Sequence, residues 1–329
     1  MKLLVVGGAG YVGGALTDLM NQLSMDFGVL DNLLYEDRYL KKVQFYRADI
    51  RETQKLLEIA TQFDVVIWLA ALVGDPLCAL NPTLTKKINT DALINFAKVY
   101  KGKIVFMSTC SVYGAQSGIL NEESPLNPLS LYAITKLESE TKLIELKPNS
   151  LIFRLGTLFG ISDEFARLRA DLVLNVLCMR AVYAGELTVF GGSQYRPLLH
   201  VKDVGRAILS GLEANAEGIF NLHCENITIV ELAKKIQNAI PSVRLTISEQ
   251  SFQDSRNYSV SSAKAIETFG FHPNYDVNYG IQEVVSVMKE GRFSQILDSA
   301  YSNADKMRDQ FASISNPIVK EYFVGGNND

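Results

Sequence analysis

The sequence predicts an α/β protein, built on a doubly wound parallel sheet with a smaller, discontinuous C-terminal α/β lobe. Short continuous apolar runs alternate with helix-length segments through the first half of the chain, and a glycine-rich turn follows the first run. At 329 residues the chain also exceeds the roughly 100 to 200 residues of one average domain. Continuous apolar runs suit strands covered on both faces, and their spacing leaves room for crossover helices.

In chain order the runs are Leu3-Leu4-Val5-Val6, Phe27-Gly28-Val29-Leu30, Val43-Gln44-Phe45-Tyr46, Val65-Val66-Ile67-Trp68 and Ile104-Val105-Phe106-Met107. Leu151-Ile152-Phe153-Arg154 and Gly218-Ile219-Phe220-Asn221 are later candidates. Residues from about 162 to 197 and beyond about 225 read as helices and irregular pieces. Thr228 with Glu231, ahead of Leu232-Ala233-Lys234-Lys235-Ile236, is a capping-box pattern that starts a helix. The expected organisation is a sheet domain over 1–160, to which parts of 198–224 return, a lobe over 161–197 and 225–315, and a tail over 316–329.

Composition narrows the function classes. A formal charge of −4 without a basic stripe argues against a nucleic-acid surface. The apolar N-terminus is interrupted by Gly7, Gly8 and Gly10 before a signal-peptide core forms, and no stretch reaches the roughly 20 apolar residues of a membrane span. Cys78, Cys110, Cys178 and Cys224 are scattered and His200, His223 and His272 stand alone, so no metal-ligand set or disulfide framework is expected. Reduced thiols in the cytoplasm is the corresponding expectation for location.

Gly7-Gly8-Ala9-Gly10-Tyr11-Val12-Gly13 directly follows the first run and opens a segment whose Val12, Ala15, Leu16, Leu19 and Met20 share one helical face. Glycines permit the tight turn and let the backbone approach a pyrophosphate, whose charge is favoured by helix N-terminal N–H groups. Asp31, followed by Asn32, ends the second run, where an acid accepts hydrogen bonds from ribose hydroxyls. A carboxylate there repels a 2′-phosphate, so the expected dinucleotide is NAD; a turn aspartate is the alternative. Asp49 and Ile50 after the third run are expected beside the adenine, or as turn residues.

Tyr132-Ala133-Ile134-Thr135-Lys136 sets a phenol and an ammonium one helical turn apart on one face. A nearby cation favours phenolate and brings tyrosine toward the range of a useful base. The run Ile104–Met107 leads into Ser108-Thr109-Cys110-Ser111-Val112-Tyr113-Gly114 at the expected carboxyl end of the sheet, where such sheets bind ligands.

With these residues the chain resembles the extended short-chain dehydrogenase/reductase superfamily, in particular its NAD-dependent nucleotide-sugar epimerases and dehydratases. The glycine loop, Leu69-Ala70-Ala71, the Ser108-to-Gly114 segment and Tyr132-x-x-x-Lys136 occur in that family's order over nearly the whole chain. The resemblance implies a Rossmann fold, a homodimer, and catalytic roles for Thr109, Tyr132 and Lys136. It adds Leu69, Ala70, Ala71, Asn89 and Ser108 to the cofactor side. Around the substrate it implies Arg196 and Arg256 on a nucleotide diphosphate, with Asn175, Thr109, Cys110 and Ser111 nearby; a surface ion pair is the alternative for Arg196, and Cys110 reads as a small buried residue. Guanidinium forks match phosphate oxygens. Two positions depart from the family pattern: Trp68 replaces a histidine before Leu69-Ala70-Ala71, and Thr157 stands where many members carry asparagine.

The reaction expected by resemblance is oxidation of a nucleotide-sugar hydroxyl to a transient ketone. Cys110 and Ser111 replace the acid pair of 4,6-dehydratases, so epimerisation ranks first and reduction of a keto-sugar second. A dehydrogenase of a non-nucleotide alcohol and a non-catalytic NAD sensor are the further alternatives.

Overall fold

The computed structural model describes residues 1–165, 167–248, 256–292 and 301–312, with side chains of the last stretch to Arg308. The tail expected over 316–329 lies outside the described residues.

The strands in chain order are β1 (Leu3–Val6), β2 (Phe27–Asp31), β3 (Gln44–Arg47), β4 (Val65–Trp68), β5 (Lys103–Thr109), β6 (Ala115–Leu120), β7 (Leu151–Leu155) and β8 (Thr157–Phe159). They continue with β9 (Glu186–Phe190), β10 (Tyr195–His200), β11 (Gly218–Leu222), β12 (Glu225–Thr228), β13 (Arg244–Ser248) and β14 (Asn257–Val260). The helices are α1 (Tyr11–Gln22), α2 (Thr53–Ala60), α3 (Asp75–Leu80), α4 (Pro82–Lys86), α5 (Ala92–Val99), α6 (Leu131–Leu146), α7 (Val173–Ala184), α8 (Val201–Glu213), α9 (Ile229–Ala239), α10 (Ala263–Phe269), α11 (Val277–Lys289) and α12 (Asn303–Ala312).

Seven strands form one sheet in the order β11-β7-β5-β4-β1-β2-β3, with every neighbour parallel. The expected doubly wound parallel architecture is therefore present. The apolar runs of β1 and β4 are buried along their whole length, as strands covered by helices on both faces require. One face carries Leu4, Val6, Val66, Trp68, Ile104 and Phe106 against α2, α5 and α6. The other carries Leu3, Val5, Ile67, Val105 and Phe153 against α1 and α8. The order reverses between β1 and β4, and the carboxyl ends of those two strands open the crevice in which such sheets bind nucleotides.

A third apolar cluster joins Phe159, Leu177, Leu187, Val189, Leu198, Ile236 and Ile281, drawn from both stretches assigned to the lobe. Here the structure adds strands that the sequence reading took as helical or irregular. Glu186–Phe190 alternates exposed and buried residues and pairs in parallel with Arg244–Ser248, while β10 pairs with β8 and β12. The predicted capping box is present: Thr228 Oγ1 accepts from the Glu231 N–H at 3.2 Å and Glu231 Oε2 from the Thr228 N–H at 2.9 Å.

Candidate active site

The glycine loop lies at the carboxyl end of β1 and the start of α1. Gly7 has φ +84°, and a Cβ there would stand 2.5 Å from the Ala70 N, so neither backbone nor space admits a side chain. Gly13 is held as tightly, with a Cβ only 2.5 Å from the Gly8 Cα. At Gly10 a Cβ would meet just the Gly7 carbonyl oxygen, at 3.3 Å, leaving its outer side clear. Gly10 caps α1 without a side-chain hydrogen bond, so the first N–H groups of the helix face the cleft. Asp31 ends β2 and accepts from the Ala9 N–H at 3.0 Å and the Leu33 N–H at 2.7 Å, fixing loop and acid together.

One cleft runs from this loop to α6. Its walls include Gly7, Gly10, Tyr11, Val12, Gly13, Asp31, Asn32, Ile50, Leu69, Ala70, Ala71, Ser108, Tyr132 and Lys136. Asp49 is set aside from it, in a shallow depression shared with Asn32, where its carboxylate is paired with Arg51 at 2.8 Å. Asn89 is buried one layer back. Its Nδ2 donates to the Leu72 carbonyl at 3.0 Å and its Oδ1 accepts from the Leu72 N–H at 2.8 Å, so it holds the loop after β4.

Strand β5 extends two residues beyond the predicted run, so Ser108 and Thr109 belong to the sheet. Thr109 Oγ1 accepts from the Ser111 N–H at 3.1 Å, which caps the short turn Cys110–Tyr113 and leaves the threonine proton free to donate. Ser130 starts α6 by accepting from the Ala133 N–H at 3.3 Å, and α6 then presents Tyr132, Lys136 and Glu140 on one face. Lys136 donates to the Met107 carbonyl at 2.8 Å, and burial lowers its ammonium to about 8. Burial likewise pushes the Tyr132 phenol up, Cys78 and Asp75 add to that, and Arg169 opposes it. The phenol is therefore neutral in the absence of ligand, and its proton leaves only when charge in the cleft favours the anion.

Beyond Tyr132 the predicted substrate residues divide. Arg196 and Arg256 come together: Arg196 Nη1 donates to the Arg256 carbonyl and, at 2.8 Å, to the Tyr195 carbonyl. Arg256 pairs with Asp75 at 3.0 Å, and Ser111 Oγ lies 3.3 Å from the Tyr258 hydroxyl. Asp75 and Tyr258 both help to hold the Tyr132 phenol in its neutral form. Cys110 is the small buried residue that its reading gave, with its thiol against the Arg154 carbonyl at 3.2 Å, so its place among the substrate contacts is a correction. Asn175 is a correction too: equally buried, its amide is taken up by the Gly160 backbone, accepting at 3.0 Å and donating at 3.3 Å. Both side chains bond local backbone.

Sequence reasoning missed the wall opposite the glycine loop. Arg169 is buried, holds Asp171 at 2.6 Å and stands 5.7 Å from the centre of the Tyr11 ring, whose hydroxyl donates to the Gly160 carbonyl at 2.6 Å. The alternation Arg167-Leu168-Arg169-Ala170-Asp171 was the available signal, because charges at every second residue in an irregular segment face one side. Cys78, also missed, is buried behind Tyr132 with its thiol pushed up to about 12 by burial.

A family model described as the NAD dependent epimerase/dehydratase family matches residues 3–222. The chain belongs to that family. A putative UDP-glucose 4-epimerase of Methanocaldococcus jannaschii is 30% identical over 313 residues, covering 87% of this chain and 98% of the relative. UDP-glucuronic acid decarboxylase 1 of Danio rerio is 24% identical, covering 86% and 72%. Among solved structures, the UDP-glucose 4-epimerase of Thermotoga maritima with UDP-glucose has a TM-score of 0.78 at 23% identity, over 89% of this chain and 100% of that one. Family membership makes this an NAD-dependent protein, and the cleft fits that cofactor. Gly10 leaves room for phosphate at a helix start, the Asp31 carboxylate stands on the cleft wall at the end of β2, and the Tyr35 hydroxyl on that wall is buried without a partner among the described residues.

Proposed function

We propose that the protein is an NAD-dependent nucleotide-sugar epimerase that acts through a transient keto-sugar. The observation that supports this reading is the chain of contacts from Arg196 to the Arg256 carbonyl and from the Arg256 guanidinium to Asp75, with Tyr258, two residues beyond Arg256, against Ser111 after β5. Two guanidiniums suit a diphosphate, and the relatives named for UDP-glucose and UDP-glucuronic acid support that substrate class.

NAD, when bound, supplies a hydride acceptor for the sugar carbon. The chain's own residues manage protons and position. Once positive charge in the loaded cleft favours its phenolate and its own proton has left to solvent, Tyr132 takes the sugar hydroxyl proton as the ketone forms and returns it when the alcohol is restored. Lys136 holds positive charge beside it, and Thr109 donates a hydrogen bond to the sugar oxygen. No further acid or base is required, because epimerisation needs only that the ketone turn its other face before reduction. The chain also lacks an acid pair after Thr109, where Cys110 and Ser111 stand.

The test is to incubate purified protein with UDP-, GDP-, CDP- and dTDP-sugars, UDP-glucose and UDP-glucuronic acid included, without added cofactor. Epimer formation from one of them is the expected result. In a parallel incubation with NADH supplied, net reduction of a keto-sugar that consumes it would assign the reductase alternative instead. No conversion and no reduction of bound NAD with any sugar would refute the proposal.

A further inference from the structure

One C-terminal segment ties together three pieces of chain around the outer edge of the cofactor cleft. Asn303, the first residue of α12, donates from Nδ2 to the Val73 carbonyl in the loop after β4 at 3.2 Å. Its Oδ1 accepts from Arg167, and its backbone N–H donates to Asp171 Oδ2 at 3.2 Å. The Tyr301 carbonyl accepts from the Ala170 N–H at 2.8 Å. Nearly one turn further on, Lys306 donates to the Tyr35 carbonyl in the loop after β2. Between these polar ties Ala304 and Met307 are buried with Leu77 and Cys78 in the core beneath α3. The segment thus joins the Arg167–Asp171 wall to both loops that border the nucleotide.

Beneath it lies an unmet hydrogen-bonding group. Tyr35 lines the cleft with its ring under the Arg167 guanidinium, 4.7 Å from the ring centre, and its hydroxyl is buried without a hydrogen-bond partner among the described residues. A buried hydroxyl left unpaired is costly, which points to a ligand that supplies an acceptor. The acceptor-rich molecule of this cleft is the dinucleotide, with its phosphate and ribose oxygens.

We infer that residues 301–308 form a retaining strap over NAD, and that the Tyr35 hydroxyl is a cofactor contact enclosed beneath it. Asn303 and Lys306 hold the strap shut, so cofactor release requires their bonds to open. The inference rests on the NAD site and bears on the proposed function, because an epimerase returns hydride to the sugar from the same dinucleotide that took it. It does not depend on which sugar is used.

The test follows release of NADH from the full-length protein. Bound NADH is displaced with excess NAD, and energy transfer from Trp68, the single tryptophan, reports departure. Trp68 ends β4, two residues before Ala70 of the cleft wall. Asn303→Ala combined with Lys306→Ala leaves Ala304 and Met307 in place and is expected to release NADH at least tenfold faster, with association altered less than threefold. Tyr35→Phe removes one hydroxyl and is expected to speed release about fivefold, the scale of one hydrogen bond. It gives an independent reading should the double variant fail to fold. Release within twofold of the parent in either folded variant overturns the inference. No sugar nucleotide is present, so a failed epimerase assay leaves these rates standing.

Discussion

Glu140 lies two turns along α6 from Tyr132, and its carboxylate is buried beside the catalytic strand. It accepts from Arg154 Nη2 at 2.8 Å, from Arg154 Nε at 3.1 Å and from the Ser108 hydroxyl, while Arg154 Nη1 donates to the Tyr113 hydroxyl at 2.9 Å. The two charged side chains are 3% and 1% exposed, so water compensates neither. Burial alone would lower the Arg154 guanidinium; the hydrogen bonds and charge of Glu140 reverse that and hold it above its ordinary value. Arg154→Met strands the carboxylate and Glu140→Gln strands the guanidinium, and loss of one partner from such a pair costs about 3 to 5 kcal/mol. Arg154→Met with Glu140→Leu removes both charges and leaves the Ser108 hydroxyl without its acceptor, while the Tyr113 hydroxyl keeps Asn121 and Asn221 as acceptors, each at 2.9 Å. One buried hydroxyl left unpaired predicts a loss of about 1 to 2 kcal/mol, smaller than either single change. Urea unfolding followed by Trp68 fluorescence measures all four proteins. Single variants within 1 kcal/mol of the parent, or a double variant that costs the sum of the singles, would refute the reasoning.

Tyr132→Phe is expected to lower turnover by about 10²- to 10⁴-fold while NAD affinity stays within a factor of three; undiminished turnover would remove the tyrosine from the chemistry. Lys136, lowered to about 8 against an ordinary 10.5, binds its proton less tightly in the folded state than in the unfolded one. The cost of burying its charge is complete below pH 8 and relieved as pH rises from 8 to 10.5, a change on the order of 3 kcal/mol. Thermal unfolding over that window is therefore expected to show a stability gain with pH that Lys136→Met lacks; parallel profiles would contradict the assignment. Arg196→Ala is expected to raise the Kd for a nucleotide sugar at least tenfold with NAD binding unchanged, and equal loss of NAD affinity in calorimetry would put Arg196 in the wrong site. Gly7→Ala is expected to abolish NAD binding, because its Cβ would enter the Ala70 backbone; normal binding in the same titration would contradict the loop geometry.

The central sheet was legible because its strands are apolar on both faces, a pattern that needs no knowledge of partners. β9 was not, since Glu186–Phe190 exposes every second residue and is short enough to pass for the end of a helix. The glycine loop, Asp31 and the Tyr132–Lys136 pair were legible through local spacing, which fixes a turn, a strand end and a helix face within a few residues. Cys110 and Asn175 stood near the substrate by resemblance alone, and each is bonded to backbone that only the tertiary fold supplies, as the reading of Cys110 as a small buried residue allows. Arg169 left only the alternation of charges over 167–171 as a signal, while the Asp75–Arg256 pair and the strap through Asn303 depend on contacts between distant parts of the chain, of which local spacing carries no trace.

Epimer formation without added cofactor is the most direct measurement of the central claim. The protein, loaded with NAD and freed of excess cofactor, is offered the panel of nucleotide sugars, and product stereochemistry is read by NMR beside the absorbance of bound NADH. The account predicts that one sugar is epimerised with no net change in cofactor oxidation state, and that Tyr132→Phe abolishes this. Bound NAD that no nucleotide sugar reduces, together with its reduction by a simple alcohol, would contradict it.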